Sequence, residues 1–249
     1  MTALGRAATG ADFVFLHGGA QGGWVWEETI AALDRQTGFG RALVLDVPGC
    51  GSKRGRDTGE LGPDEVAAEL IAEIEAAGFG DAVLVGHSQA GTLAPRLLER
   101  APQLFRRAVY VSAIAPLPGQ TVLNHKQGLP GADAAASWSE TPPSDPRALF
   151  RALFCNDMSE AEAGAFLDKL GADAWPAPMY AASDWRYGHL AAVRASYVVC
   201  LQDAVLPVAW QEIFAERLKV ERLIRIDSGH QAMNTRPHAL AEILRLEAG

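Results

Sequence analysis

Cysteine is scarce in this chain. Its 249 residues include three cysteines, Cys50, Cys155 and Cys200, which lie far apart in the sequence. Few, widely spaced cysteines of odd number do not form a disulfide framework, and they favour a reducing compartment. No CxxC pair and no histidine at metal-ligand spacing accompanies them, so the sequence does not predict a structural zinc site. We therefore expect a cytoplasmic protein without a bound metal.

Long apolar runs and excess basic charge are also missing. No segment approaches the length that crosses a bilayer, and the opening "MTALGRAATGAD" lacks the apolar core of a signal peptide. The formal net charge is −8, which disfavours a nucleic-acid partner. The one basic cluster, residues 53–56 (KRGR), is short and predicted to be a solvated loop. The sequence thus predicts neither a nucleic-acid nor a membrane partner.

Short apolar runs, bounded by Gly, Pro or Asp, recur along the chain. Their nearly continuous Val, Leu and Ile content is typical of strands covered on both faces, as in a parallel sheet. The predicted strands are Asp12–His17, Ala42–Gly49, Ala82–Ser88, Ala108–Ala115, Ser196–Asp203 and Arg222–Asp227.

Amphipathic stretches separate most of these runs. In "PDEVAAELIAEIEAAGF", Val66, Leu70 and Ile74 fall on one helical stripe that ends at Gly78. The alternation of strand and helix predicts the α/β class, with a doubly wound, mostly parallel six-stranded sheet flanked by helices. Residues 116–186 contain no convincing strand, so we predict a helical cap inserted into a core of residues 1–115 and 187–249. A packed insertion without a ligand role remains the alternative.

The stretch "AVLVGHSQAG" at residues 82–91 predicts a strand that turns sharply into a helix and exposes Ser88 at the corner. This is the form of a nucleophile elbow. Strained backbone at such a corner requires small residues two positions away on either side, and Gly86 and Ala90 satisfy this. Alanine replaces the usual glycine, and Gly91 follows it. The Gln89 N–H would lie at a helix N-terminus, where partial positive charge favours an oxyanion.

A serine hydroxyl of ordinary pKa needs a base, and the base needs a group that orients it. His230 lies in "RIDSGHQAMNTRP", between the last strand and the last helix, and is the predicted base. Asp203 ends the preceding strand and is the predicted acid; Asp227 is too near His230 in sequence, and Asp184 precedes the strand. The remaining histidines are predicted to have packing, backbone or solvated positions: His17, His87, His125, His189 and His238.

The second oxyanion donor is predicted to be the Gly19 N–H, in the "HGG" that follows the first strand. The simpler interpretation of this segment is a glycine-rich turn anchored by Trp24 and Trp26. Such a turn can also supply the oxyanion donor, so both interpretations can hold. The segment has neither GxGxxG spacing nor a GK[ST] end, so it is not a phosphate loop. No cofactor is predicted.

Several motifs together carry a resemblance to a known family. They are "HGGAQGGWVW", "DVPGCGS", the serine corner, "LFCNDMSEAEAGAFLDKL", "WRYGHLAAVRASYVVCLQD" and "SGHQAMNTRP". The chain resembles the α/β-hydrolase superfamily, and within it the plant methylesterase and hydroxynitrile lyase group with related bacterial esterases. The resemblance implies a sheet without the first antiparallel hairpin of larger relatives, and a Ser88–His230–Asp203 triad in the family's chain order.

The same resemblance implies hydrolysis of a small, fairly apolar carboxylic ester through an acyl-enzyme. The lyases of the group typically carry threonine and lysine where this chain has Gly18 and Gln231, so ester hydrolysis is favoured over cyanide release. The alternatives are hydroxynitrile lyase-like or cofactor-free base catalysis, and a hydrolase-derived small-molecule receptor. Cys50, Gln89 and Gln231 also depart from the family's usual residues.

The only partner predicted is the ester, and a homodimer remains open. The predicted pocket residues are Gly18, Trp138, Trp175, Tyr180, Trp185 and Gln231.

Overall fold

The structure is a computed structural model that describes residues 3–5, 10–132 and 145–249. Its strands form one sheet in the order β1-β3-β2-β4-β5-β6-β7, in which β2 to β7 are parallel. The strands are β1 (Ala3–Gly5), β2 (Ala11–Leu16), β3 (Phe39–Leu45), β4 (Ala82–His87), β5 (Phe105–Val111), β6 (Ala195–Cys200) and β7 (Arg222–Ile226). All six predicted strands are present.

The described sheet has seven strands rather than the predicted six. The extra strand, β1, pairs antiparallel with β3 and is only three residues long. A strand of this length carries no measurable apolar period, which is why the sequence pattern missed it. It forms no hairpin with β2, because β3 lies between them.

The α-helices connect the strands on both faces of the sheet. Their bounds are α1 (Glu27–Leu33), α2 (Pro63–Ala76), α3 (Ala94–Arg100), α4 (Pro146–Phe154), α5 (Glu160–Lys169), α6 (Ala177–Ala181), α7 (Val208–Arg217), α8 (Ala232–Thr235) and α9 (Pro237–Glu247). Helix α2 ends as the sequence predicts: Gly78 takes a φ of +66°, and the Phe79 N–H donates to the Ile74 carbonyl at 3.1 Å.

Successive strand residues point to opposite faces, so two apolar layers flank the sheet. Val14 and Leu16 of β2 pack in one layer with residues of α2, α3 and α7, whereas Phe13 and Phe15 pack in the other with α1 and α9. The prediction of strands covered on both faces fails at β7, where Arg222 and Leu223 are exposed. This strand is at the edge of the sheet, and only its last residue, Ile226, is buried.

The connections change direction between β2 and β4. From β2 the chain continues to β3 on one side, and then returns to β4 on the other side of β2. Loops that leave the carboxyl ends of β2 and β4 therefore diverge and leave a crevice, where doubly wound sheets bind ligands. Residues 17–19 follow β2 and Ser88 follows β4, so the fold brings both predicted segments to this crevice.

The described part of residues 116–186 contains turns and helices α4 to α6, and no strand. Trp138 lies outside the described residues. Among the described residues, no helix is both long and apolar enough to span a bilayer.

The basic cluster at residues 53–56 is a largely exposed turn whose basic side chains form ion pairs. Lys53 pairs with Glu69 and Glu73, and Arg54 pairs with the buried carboxylate of Asp173. The exposure of Arg54, Gly55 and Arg56 confirms the prediction of a solvated loop. Its ion pairs with carboxylates of α2 and with Asp173 depend on tertiary packing, which a local pattern cannot anticipate.

Candidate active site

Ser88 lies in the left-handed backbone region, with a φ of +54°, directly after β4. A non-glycine residue in this region is strained, and such strain is found where a side chain is held for a function. A Cβ on Gly86 would approach the Ala90 methyl to 3.3 Å, so glycine at 86 leaves room for alanine at 90. A Cβ on Gly91 would overlap the Ile114 carbonyl oxygen at 2.1 Å. The close backbone approach is therefore made at Gly91, which explains why Ala90 is tolerated.

The structure brings the three predicted triad side chains together. The Ser88 hydroxyl lies 3.0 Å from His230 Nε2, and His230 Nδ1 lies 2.7 Å from Asp203 Oδ2. His230 is fully buried and Asp203 is 8 % exposed. Because a carboxylate only accepts, His230 carries its proton on Nδ1 and presents a bare Nε2 to the serine. This tautomer can take the hydroxyl proton.

Asp203 is held by donors on both of its oxygens. Oδ1 accepts the N–H groups of Val205 at 2.7 Å and Leu206 at 2.8 Å. Oδ2 accepts His230 and also the hydroxyl of Ser112. The competing carboxylates lie elsewhere: Asp227 is exposed and Asp184 pairs with Arg96.

Ser112 is a site residue that the sequence analysis missed. It follows β5, is fully buried, and has a φ of +40°. Its Oγ lies 3.3 Å from His230 Nδ1 in addition to its bond to Asp203. A serine at the end of a strand has no motif of its own, but the carboxyl ends of adjacent parallel strands meet at one edge. That position is the one signal that could have pointed to it.

We expect Ser112→Ala to lower kcat about tenfold with little change in KM, because one charge-assisted hydrogen bond to the Asp203 carboxylate is lost. Ser112→Gly is the matched variant, since glycine removes the same hydroxyl and relieves the positive φ. The two variants should share the loss of kcat in steady-state ester kinetics, while Ser112→Gly unfolds at higher denaturant. Wild-type kcat in either variant would show that Ser112 has no positioning role.

His87, the residue before the serine, contacts both the backbone and the ring of the predicted base, His230. Its Nε2–H donates to the His230 carbonyl at 3.0 Å, and the two rings lie 4.6 Å apart. Burial holds the pKa of His87 well below its usual value, and the nearby His230 lowers it further. A neutral ring at this position does not oppose the positive charge that His230 would gain when it accepts a proton.

The loop after β2 is fixed by His17. Its Nδ1–H donates to the Gly18 carbonyl at 2.8 Å, and its Nε2 accepts the Val47 N–H at 3.1 Å. The Trp175 indole N–H also donates to Gly18 O, at 3.0 Å. Gly19 follows and lines the same cavity as Ser88 and Gln89. Both residues predicted to supply oxyanion donors therefore belong to the cavity wall that contains the serine.

Buried neutral histidines predict a loss of stability in mild acid. Burial lowers the pKa of His17, His87 and His125, so below about pH 6.5 the unfolded chain binds protons that the folded chain does not. The free energy of unfolding is therefore highest above about pH 6.5. As the pH falls from there to the lowered pKa of each folded histidine, it decreases by up to about 1.4 kcal/mol per pH unit for each histidine. Denaturant unfolding at several pH values measures this slope.

The test variant for this experiment is His87→Gln, and its control is His238→Gln. Glutamine at 87 keeps an N–H donor for the His230 carbonyl but does not titrate, so the slope should decrease by about one histidine's share. His238 is exposed, and its replacement should leave the slope unchanged. Equal slopes in the wild type and His87→Gln would contradict the assignment of a neutral His87.

Two cap residues hold the loops that carry the acid and the base. The Asn156 side-chain N–H donates to the Gln202 carbonyl at 2.7 Å, next to Asp203. Asp157 Oδ2 accepts the Gly229 N–H at 2.8 Å, next to His230. The "CND" segment between α4 and α5 thus connects the cap to the loops after β6 and β7, a role that the sequence analysis did not assign.

Beside Ser88 is a cavity of about 200 Å³ with mainly apolar walls. Of the six predicted pocket residues, only Tyr180 is among the described residues that line it. The lining residues are Gly19, Ala20, Ser88, Gln89, Ile114, Val122, Leu123, His125, Lys126, Leu153, Phe154, Tyr180, Val205, Leu206 and Trp210.

Four of the other pocket predictions are corrected by packing, and the fifth, Trp138, lies outside the described residues. Trp175 lies in the core and supports Gly18, and Trp185 is buried with its indole N–H on the Gln120 carbonyl at 2.7 Å. Gly18 lies behind the serine, where a Cβ would come within 2.9 Å of the Ser88 Cβ. Gln231 is fully buried before α8 and outside the described cavity wall. Aromatic composition alone did not distinguish core residues from pocket residues in the cap.

Gln89 and Tyr180 form a polar part of the cavity wall. Gln89 is 6 % exposed, and its Nε2 has no hydrogen-bond partner among the described residues. Burial raises the pKa of Tyr180 to about 12, against the opposing effect of a side-chain hydrogen bond with Gln89. The phenol is therefore neutral at physiological pH.

One family match covers nearly the whole chain. Residues 13–243 match the model of a family described as the alpha/beta hydrolase family. This chain belongs to that family. The match includes the serine corner, the cap and both loops that carry Asp203 and His230.

Individual relatives agree with this membership. The protein named methylesterase 11 of Arabidopsis thaliana is 27 % identical over 93 % of this chain, which spans 62 % of that protein's length. Polyneuridine aldehyde esterase of Rauvolfia serpentina is 24 % identical over 98 % of each chain.

Among solved structures, an extracellular alpha/beta-hydrolase from a Paenibacillus species superposes with a TM-score of 0.77. It is 24 % identical over 96 % of this chain and 99 % of its own. At that identity the likeness supports the fold alone.

Proposed function

We propose that this protein is a serine hydrolase that cleaves a small carboxylic ester. The observation that carries the proposal is the continuous hydrogen-bonded chain from Ser88 through His230 to Asp203, which begins in the wall of a largely apolar cavity. The names of the two curated relatives, an esterase and a methylesterase, support ester hydrolysis as the reaction.

In the first step, Ser88 Oγ attacks the ester carbonyl while His230 Nε2 takes the hydroxyl proton. Asp203 keeps the imidazole oriented and stabilises the positive charge that His230 gains. The tetrahedral intermediate collapses to an acyl-serine, and His230 returns the proton to the departing alcohol. Water then attacks the acyl-serine with His230 as base, and the carboxylic acid leaves.

The backbone N–H groups of Gly19 and Gln89 stabilise the oxyanion in both steps. Gln89 is the second residue of the 3₁₀ turn Ser88–Thr92, and the first N–H groups of a helix have no acceptor within it. Such donors act on charge that develops in the transition state, and each is worth about 100- to 1,000-fold in rate.

A panel of methyl, aryl and lactone esters, combined with a fluorophosphonate probe, tests the proposal. We expect the probe to label Ser88 at one site per chain and at least one ester of the panel to turn over. Labelling of Ser88 without turnover of any ester would instead identify a small-molecule receptor built on the same scaffold. Turnover that persists after complete labelling would place the reaction on another residue.

A further inference from the structure

His125 is a polar residue in the wall of the Ser88 cavity. Its Nδ1 lies 2.6 Å from the Val122 carbonyl oxygen. Because a carbonyl only accepts, the proton is on Nδ1, and the neutral ring leaves Nε2 as a bare acceptor. That nitrogen is buried and has no hydrogen-bond partner among the described residues. The sequence alone predicts a packing or solvated position for His125.

The surroundings keep the ring neutral. Burial lowers the pKa of His125; the bond to Val122 opposes this shift, and the positive charges of Lys126 and Arg217 add to it. Phe214 packs against the ring at 5.9 Å between centroids. A second proton on Nε2 is therefore disfavoured at neutral pH, and the nitrogen stays an acceptor.

The wall of the cavity includes donors on Gln89, Lys126 and Tyr180, but no described residue donates to His125 Nε2. Val122 and Leu206 are aliphatic, and the Trp210 indole N–H is already bonded to the Pro130 carbonyl at 2.8 Å. A buried acceptor without a partner lowers stability unless something supplies a hydrogen bond. Sites of this kind strongly discriminate against ligands that lack the matching group.

We propose that His125 Nε2 accepts a hydrogen bond from the substrate, so that the preferred ester carries a hydroxyl or N–H group on an otherwise apolar acid or alcohol portion. This inference rests on the proposed ester hydrolysis and names the substrate class of the same site. The predicted substrate is then an ester with one hydrogen-bond donor on an otherwise apolar portion, rather than a uniformly apolar ester.

The test compares isosteric ester pairs in the wild type, His125→Phe and His125→Gln. One set consists of p-nitrophenyl esters of para- and meta-hydroxyphenylpropanoate and their methylphenyl counterparts, which place the donor on the acid. A second set, hydroxybenzyl and methylbenzyl acetates, places it on the alcohol. The measured quantity is the hydroxyl-to-methyl ratio of kcat/KM within each variant. Any general loss of activity cancels in this ratio, because both members of a pair use the same triad.

We expect the wild type to favour a hydroxyl ester at least tenfold in one of the sets. In His125→Phe the ratio should fall below one, because the hydroxyl then loses water without gaining an acceptor. In His125→Gln it should partly recover, since the amide oxygen can accept. Equal use of both esters by the wild type, or an unchanged ratio in His125→Phe, would overturn the inference while leaving ester hydrolysis intact. If the protein hydrolysed none of these esters and none of the esters in the earlier panel, the proposed function itself would be overturned.

Discussion

Ser88→Ala lowers kcat for ester hydrolysis by on the order of 10⁶-fold, to the residual rate that binding and the oxyanion donors sustain without a nucleophile. The reason is that Ser88 Oγ lies 3.0 Å from the bare Nε2 of the His230 base, whereas the Ser112 hydroxyl faces Nδ1, which carries a proton. KM should change little, because the cavity walls remain in place. Steady-state kinetics with a chromogenic aryl ester, measured with enough enzyme to detect the residual rate, checks this expectation.

Ser88→Gly is the matched control for folding. The φ of +54° strains alanine at this corner and suits glycine, so the two variants should differ in unfolding free energy while sharing the loss of activity. A common kinetic loss in variants of different stability assigns the effect to the hydroxyl. Retention of near wild-type turnover by either variant would exclude Ser88 as the nucleophile.

Asp203→Asn should have the second largest effect, a loss of about 10⁴-fold in kcat. Oδ1 accepts two backbone N–H groups, from Val205 and Leu206, and an amide NH₂ cannot replace it there. The asparagine oxygen is therefore fixed on that side, and its NH₂ faces His230. His230 must then accept on Nδ1 and carry its proton on Nε2, the tautomer that cannot take a proton from Ser88.

Asp227→Asn is the control for this experiment. Asp227 was the competing acid in the sequence, yet in the structure it is exposed and bonded to the Gln202 side chain at 2.6 Å. Its substitution should leave kcat within experimental error, while Asp203→Asn retains its fold because the bonds on Oδ1 persist. A loss of less than tenfold in Asp203→Asn would mean that the carboxylate does not set the tautomer of His230.

The reacting groups could be predicted from sequence because each follows a strand whose local pattern is strong. A strand that ends in a glycine-flanked serine fixes its own corner, and residues at the carboxyl ends of parallel strands must meet at one edge. Asp203 and His230 follow β6 and β7 in this way, and they lie within hydrogen-bond distance of each other and of Ser88. The six longer strands and the end of α2 at Gly78 also follow from local patterns.

The cavity could not be predicted in this way. Trp175 and Trp185 have the composition of pocket residues, but their indole N–H groups bond to backbone carbonyls in the core. His125 lies in a run of turns without period, so its contact with Val122 and its place in the cavity wall depend on tertiary packing. Ser112 is one serine among many in the sequence. Side-chain direction in irregular segments is decided by long-range contacts, which no local pattern records.

Mass spectrometry of the protein, quenched during turnover of an aryl ester, tests the central claim most directly. We predict a covalent acyl group on the peptide that contains Ser88, absent from Ser88→Ala and formed far more slowly in Asp203→Asn. Turnover at the normal rate with Ser88 unmodified at every quench time would contradict it.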